Sequence, residues 1–245
     1  MKTVAILAPM QQELDAVLNA FGVPVGAVGA ALCGCPNGQP TTHVFEHFET
    51  KFILALSGVG RANTAMNTAL IIKEHNPDEI INVGSAGGLQ AEQKILDIVI
   101  PEEVVAVDVD LTALGYEYGQ ILGGPKSYFT DAKIRAELIE ASKGCSYNTH
   151  TGTVGSTEAF ICREEQVLEI GHRFNNRVVC VEMEAFSVAV VCEKFKIPFA
   201  VIRSLSDVPA KGEGNENDFN EFLCHASKNA AQLLHTLYKR RKAES

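Results

Sequence analysis

Apolar residues in this chain fall into short continuous runs separated by stretches of helical period, and that alternation predicts most of its elements. The run at residues 3–7 reads as a buried strand, after which Leu14, Val17, Leu18 and Phe21 recur on one helix face. Residues 22–40 are rich in Gly and Pro and read as loop or weak strand. Runs at 43–48 and 51–56 flank Glu49-Thr50 and predict a hairpin. Ala62, Ala65, Met66, Ala69 and Leu70 predict a helix, and residues 79–83 and 95–100 predict strands separated by a glycine turn at 84–88. Further strands at 177–181 and 199–202 enclose a helix at 184–195. Phe219, Phe222, Leu223, Ala226, Ala230, Leu233, Leu234 and Leu237 form one stripe of a last helix. With no linker and no internal repeat, the pattern predicts a single α/β domain over residues 1–245, a doubly wound fold with a mixed, twisted central sheet flanked by helices. Ligands of such sheets gather at the carboxyl ends of strands, here residues 8–13, 57–60, 84–88, 181–184 and 203–207.

Composition narrows the function classes. The 245 residues are 46% hydrophobic with a mean hydropathy of +0.06, enough for a generous core. A net charge of −9 and a pI near 5.3 argue against nucleic acid or an anionic membrane as partner. The Lys239-Arg240-Arg241-Lys242 run reads as a solvated tail. Seven cysteines, an odd number without framework spacing, fit a reduced, cytoplasmic protein with mostly core thiols. Cys33-Gly-Cys35 has no matching Cys/His pair nearby and the seven histidines form no ligand-spaced cluster, so neither metal nor cofactor is expected. The N-terminal apolar run is too short for a signal peptide, and no segment is long enough to span a membrane.

The most informative residues are the carboxylates at strand ends. Glu182 and Glu184 stand in the apolar setting Val181-Glu182-Met183-Glu184, where an unpaired carboxylate is costly. They read equally as a structural ion pair, as charges at a helix N-terminus, or as acceptors for a hydroxyl-rich ligand. Asp207, in Arg203-Ser204-Leu205-Ser206-Asp207, reads as a proton donor, or Ser206 or Asp207 as a helix cap. Glu13 reads as a base or as an ordinary first-turn helix acid. Three carboxylates brought together would suit a reaction that develops a cation and moves protons at both ends of a bond. The glycine turns at 57–60 and 84–88 would let backbone amides approach a ligand closely. A dinucleotide reading of the first fails because Asn63 occupies the third glycine position.

The order of motifs resembles the bacterial 5′-methylthioadenosine/S-adenosylhomocysteine nucleosidases of the purine/uridine phosphorylase-like superfamily. The matching segments are Ala8-Pro9-Met10-Gln11-Gln12-Glu13, Ser57-Gly58-Val59-Gly60, Asn82-Val83-Gly84-Ser85-Ala86-Gly87-Gly88, residues 112–120, Ala159-Phe160-Ile161, Val181-Glu182-Met183-Glu184 and the Arg203–Asp207 stretch. The resemblance implies hydrolysis of an N-ribosidic bond. Glu13 would activate water, while Asp207, held by Ser206, would protonate adenine N7. Glu184 would hold the ribose hydroxyls beside Met183, with Glu182 close by. Phe160 would stack on the base while the Ile161 backbone reads its edge. Ser85 would support the catalytic region and Arg203 would lie near the water. Leu114 and Tyr116 would close over the 5′-thio substituent of a partner subunit, which implies a homodimer. Among the departures, Gln11-Gln12 replace acidic residues, Leu114 stands where an aromatic is common, and the polar 211–218 loop reads as a lid.

Two rivals remain at this level. A phosphate-dependent nucleoside phosphorylase of the same fold would need cations, for which Arg61 and Arg203 are candidates, but Glu13 would repel the anion. A non-catalytic nucleoside sensor would need the pocket without Glu13 and Asp207.

Overall fold

In the computed structural model, which describes residues 1–24, 41–212 and 215–244, the chain opens with β1 (Lys2–Ala8), α1 (Gln11–Ala20), β2 (Thr42–His47), β3 (Thr50–Leu56), α2 (Arg61–His75) and β4 (Glu79–Gly88). A middle section of short strands follows: β5 (Ile98–Val99), β6 (Glu103–Ala106), β7 (Tyr128–Phe129), α3 (Ala132–Ser142), β8 (Thr149–His150), β9 (Thr153–Ser156) and α4 (Glu164–Arg173). The chain ends with β10 (Val178–Glu182), α5 (Ala185–Phe195), β11 (Phe199–Asp207) and α6 (Asn215–Glu244). Cys33-Gly-Cys35 and residues 25–40 of the Gly/Pro-rich segment lie outside the described residues.

One mixed sheet runs through all of this, and β4 is its branch point. Along one edge, β4 pairs in parallel with β1 through residues 79–82 and then antiparallel with β10 at Gly87 and Gly88. Along the other edge it pairs with β11 over almost its whole length. Interior strands have neighbours on both edges and helices on both faces, so their sequences are apolar without alternation. Every residue from Val4 to Ala8 of β1 is buried. Val4 and Ile6 pack toward α1 and α6, whereas Ala5 and Leu7 pack toward α2 and α5.

Several expectations change. The hairpin turn is Phe48-Glu49, both left-handed with φ of 49° and 58°, the pairing a two-residue turn between twisted strands requires. The stretch 84–88 is no turn; it is the second half of β4. Its glycines serve close packing, since a Cβ on Gly84 would lie 2.3 Å from Arg203 Nη1 and 2.8 Å from Glu13 Oε1. At 95–100 only Ile98 and Val99 are strand. Asp97 N–H bonds Lys94 O and Asp97 Oδ2 accepts Lys94 N–H, and this turn consumes the preceding residues. Strand β11 extends through Asp207, so neither Ser206 nor Asp207 caps a helix.

The basic run at 239–242 is no free tail either. It forms the last turns of α6, where Arg241 pairs with Glu79 and Glu137, Arg240 with Glu140 and Lys242 with Glu49. Of the described cysteines, Cys180 and Cys192 are buried, Cys145 and Cys162 half-buried and Cys224 exposed, so fewer are core thiols than expected. Among the described residues, no helix is long and apolar enough to cross a membrane.

Candidate active site

The carboxyl ends of β1, β4, β10 and β11 surround one cavity. Nine of the expected residues line it: Glu13, Ser85, Phe160, Ile161, Glu182, Met183, Glu184, Ser206 and Asp207.

Glu13 satisfies both of its readings at once. As the third residue of α1 it accepts the Met10 N–H through Oε2 at 3.0 Å, which serves an orphan amide at the helix start. Its Oε1 accepts Ser85 N–H at 2.8 Å and Ser85 Oγ–H at 3.1 Å. Burial pushes this carboxyl above the ordinary range, opposed by Arg203 and by those three hydrogen bonds. Gly84 admits this arrangement, because any side chain there would fill the space between Glu13 and Arg203.

The acidic pair divides into two roles. Glu182 Oε2 accepts the N–H groups of Glu184 and Ala185 at 3.0 and 2.8 Å, capping α5, and also takes Arg203 Nη2. Its Oε1 takes Ser156 Oγ, which is itself fixed by the Phe186 N–H at 2.8 Å. Helix cap and ion pair are therefore both true of Glu182, and both oxygens are committed to the protein. Glu184 is placed differently. Its Oε1 accepts Gly60 N–H at 3.0 Å, and its Oε2 lies 3.6 Å from Arg203 Nη2. Burial and the charge of Glu182 push its carboxyl up, against the pull of Arg203 and the Gly60 amide.

Arg203 does not reach the cavity surface. It is fully buried behind the carboxylates, with Nη2 also donating to Asn82 Oδ1 at 2.6 Å. Three carboxylates thus share one buried guanidinium, leaving the site with a surplus of negative charge when all are ionised. Opposite them, Asp207 accepts Ser206 Oγ–H through Oδ1 at 2.7 Å, while Oδ2 has no hydrogen-bond partner among the described residues. Burial pushes the Asp207 carboxyl up to about 7, with Ser206 pulling down and Asp218 adding a push upward.

No lysine or arginine is among the residues lining the cavity. The other candidate cation, Arg61, is engaged by Asp108 at 2.5 Å and Glu158 at 3.3 Å. Phe160 forms the far wall, meeting Phe219 edge to face with ring centroids 5.5 Å apart. Leu114, 66% exposed, and the half-buried Tyr116 do not line the cavity of their own chain.

The profile of the phosphorylase superfamily matches residues 3–239. A 5′-methylthioadenosine/S-adenosylhomocysteine nucleosidase of Bacillus subtilis is 39% identical over 97% of this chain and 98% of its own length. The chain belongs to this nucleosidase family of the phosphorylase superfamily. Among solved structures, the nucleosidase of Neisseria meningitidis in complex with methylthio-immucillin-A is 34% identical, with a TM-score of 0.87 over 98% of this chain and 100% of that one. The futalosine hydrolase of Helicobacter pylori is 26% identical, with a TM-score of 0.86 over 98% of each chain.

In this nucleosidase-family chain, Met10, Val59, Thr157 and Phe219 are lining residues that the sequence reading did not assign. Phe219 was absorbed into the apolar stripe of α6, and periodicity carries no mark separating a stripe residue facing the core from one facing a cavity. Part of the expected 211–218 lid is helix, since α6 begins at Asn215.

Proposed function

We propose that this chain hydrolyses the N-ribosidic bond of 5′-methylthioadenosine, S-adenosylhomocysteine or both, releasing adenine and the 5′-thio-substituted ribose. One observation carries the reading. Two buried carboxyls, Glu13 and Asp207, face one cavity without a lining cation, and Asp207 holds an unpartnered oxygen on a carboxyl raised to about 7. A raised carboxyl remains protonated near neutrality and can donate.

As the C1′–N9 bond breaks, its electron pair passes into the adenine ring, and the proton of Asp207 goes to N7. Glu13 takes a proton from water as the oxygen bonds to C1′. Proton exchange with solvent then resets both carboxyls. Glu184 accepts the ribose hydroxyls beside Met183, and those donors, with the cationic sugar, favour its ionised form. Phe160 stacks on adenine, the Ile161 backbone reads its edge, Ser85 steadies Glu13, and Ser206 steadies Asp207. Glu182 lines the cavity with its oxygens committed to Arg203, Ser156 and the α5 amides, and Arg203 acts from behind it. Leu114 and Tyr116 serve the site of a partner in a homodimer, in the cytoplasm, and methionine salvage is the process served.

Water rather than phosphate is the nucleophile, because an anion would meet Glu13 and no unpaired cation at the cavity surface. The test is chromatographic detection of adenine from a panel of 5′-substituted adenosines and a futalosine-type nucleoside, with and without phosphate. Adenine release in phosphate-free buffer is expected. Strict dependence on phosphate, with ribose-1-phosphate-type products, would overturn the assignment.

A further inference from the structure

Consecutive amides at the start of α2 hold the cavity-lining Glu184 and, from the segment that carries Phe160, Glu158. Gly60 N–H donates to Glu184 Oε1 at 3.0 Å, on the sugar side. Arg61 N–H donates to Glu158 Oε1 at 2.7 Å, two residues before Phe160 on the base side. The Arg61 side chain closes the arrangement. Its Nε lies 3.3 Å from Glu158 Oε1, and its Nη2 donates to Asp108 Oδ2 at 2.5 Å. That same Asp108 oxygen accepts the Glu158 N–H at 3.0 Å. On the opposite side, Ser187 Oγ of α5 donates to Arg61 O at 2.9 Å.

These contacts tie the base wall to α2. Residues 157–161 belong to no helix or strand, and past the Thr157 N–H, which bonds Glu182 O at 2.9 Å, no backbone ladder holds them among the described residues. Gly60 is built for the contact, with φ of +86° and a position where a Cβ would lie 2.9 Å from Glu158 Oε2. The side chains of Arg61, Asp108 and Glu158 are 22%, 29% and 50% exposed, so these ion pairs contribute little to folding stability. Geometry is their larger effect. Amides 60 and 61, in series, link the base wall to the sugar-holding carboxylate through α2, alongside the Thr157 N–H bond to Glu182 O at 2.9 Å.

We propose that Arg61, together with Asp108 and Glu158, is a positioning residue that fixes the spacing between the base wall at Phe160 and Glu184. The inference rests on the nucleosidase reading above. Misplacing a binding wall by about 1 Å costs roughly ten- to a hundred-fold in productive binding. The experiment measures adenine release and inhibition by free adenine for the parent, Arg61→Met, Arg61→Lys, Asp108→Asn and Glu158→Gln. Arg61→Met should raise KM and the adenine inhibition constant together, by roughly ten-fold or more, with a smaller effect on kcat. Arg61→Lys and Asp108→Asn should fall between it and the parent. Glu158→Gln, which keeps an oxygen for the Arg61 amide, should be mildest. Both limbs of the pH profile should stay in place, because Glu13 and Asp207 keep their partners. Arg61→Met and Asp108→Asn enzymes with parental KM and parental adenine inhibition, merely less stable or less abundant, would overturn the proposal. A parent that releases no adenine would instead sink the nucleosidase reading, and calorimetric binding of adenine to the same variants would still decide the positioning role.

Discussion

Removing the Ser206 hydroxyl should move the alkaline limb of the reaction upward. Ser206 Oγ is the hydrogen-bond donor to Asp207 Oδ1, at 2.7 Å in a buried setting, and Oδ2 has no partner among the described residues. Asp207 is raised to about 7 by burial, and the Ser206 hydrogen bond is what pulls it down. A hydrogen bond to a charged group is worth about 1.5–3 kcal/mol, and the same contact to the neutral acid about 0.5–1.5 kcal/mol. In Ser206→Ala the ionised form therefore loses about 1–1.5 kcal/mol more than the protonated form, which is roughly one pH unit. The limb of kcat/KM that falls as Asp207 ionises should shift from near 7 to about 8. At about pH 8 the protonated fraction of the variant would exceed that of the parent by about five-fold, and at about pH 5 the two would be equal. Initial rates of adenine release at subsaturating substrate, measured across that range, provide the assay. A limb that stays in place or moves down would refute the argument, for then the hydroxyl does not hold the ionised form.

Three further outcomes follow from the same geometry. Asp207→Asn should lower kcat by roughly 10²–10⁴-fold and yet stabilise the protein at alkaline pH. The folded-state carboxyl is raised from 3.8 to about 7, so its contribution is lost as pH climbs through that window, by about 4 kcal/mol at most. Denaturant midpoints of parent and variant should therefore coincide below about pH 3, diverge between about pH 4 and 7, and stay apart above that. Glu182→Ala should destabilise the fold by about 3–5 kcal/mol in chemical denaturation, because it removes the carboxylate nearest the buried Arg203 and uncaps α5; a loss under about 1 kcal/mol would refute the structural role. Gly84→Ala should cost roughly a hundred-fold in kcat/KM, since its Cβ would lie 2.3 Å from Arg203 Nη1 and 2.8 Å from Glu13 Oε1, and near-parental kinetics would show that both side chains can yield.

The futalosine hydrolase resembles this chain in fold about as well as the Neisseria nucleosidase does. In the proposed homodimer, a thioether and its competitors would differ in contacts with the Leu114 and Tyr116 segment, and a hydrophobic pocket separates close analogues by only about 1–3 kcal/mol. The substrate panel is therefore the measurement that ranks them.

The architecture is legible in the chain alone, because burial on both faces of an interior strand writes a continuous apolar run. So are the carboxylates, since an acid in an apolar setting is conspicuous wherever it ends up. The short strands of residues 103–156 escaped because two to four residues carry no period. Tertiary structure alone decided what each acid does. Glu182 and Glu184 are two residues apart and alike in sequence, yet one is consumed by Arg203, Ser156 and the α5 amides while the other turns toward Gly60 and the cavity. The glycines at 84–88 carried the same ambiguity, suggesting a turn until their pairing with β11 showed a strand thinned to let Arg203 and Glu13 approach. Partners far apart in the chain set those roles: Glu13 meets Ser85, and Gly60 meets Glu184. Local pattern records which residues are buried, and only the fold brings together the groups that determine their charge and their task.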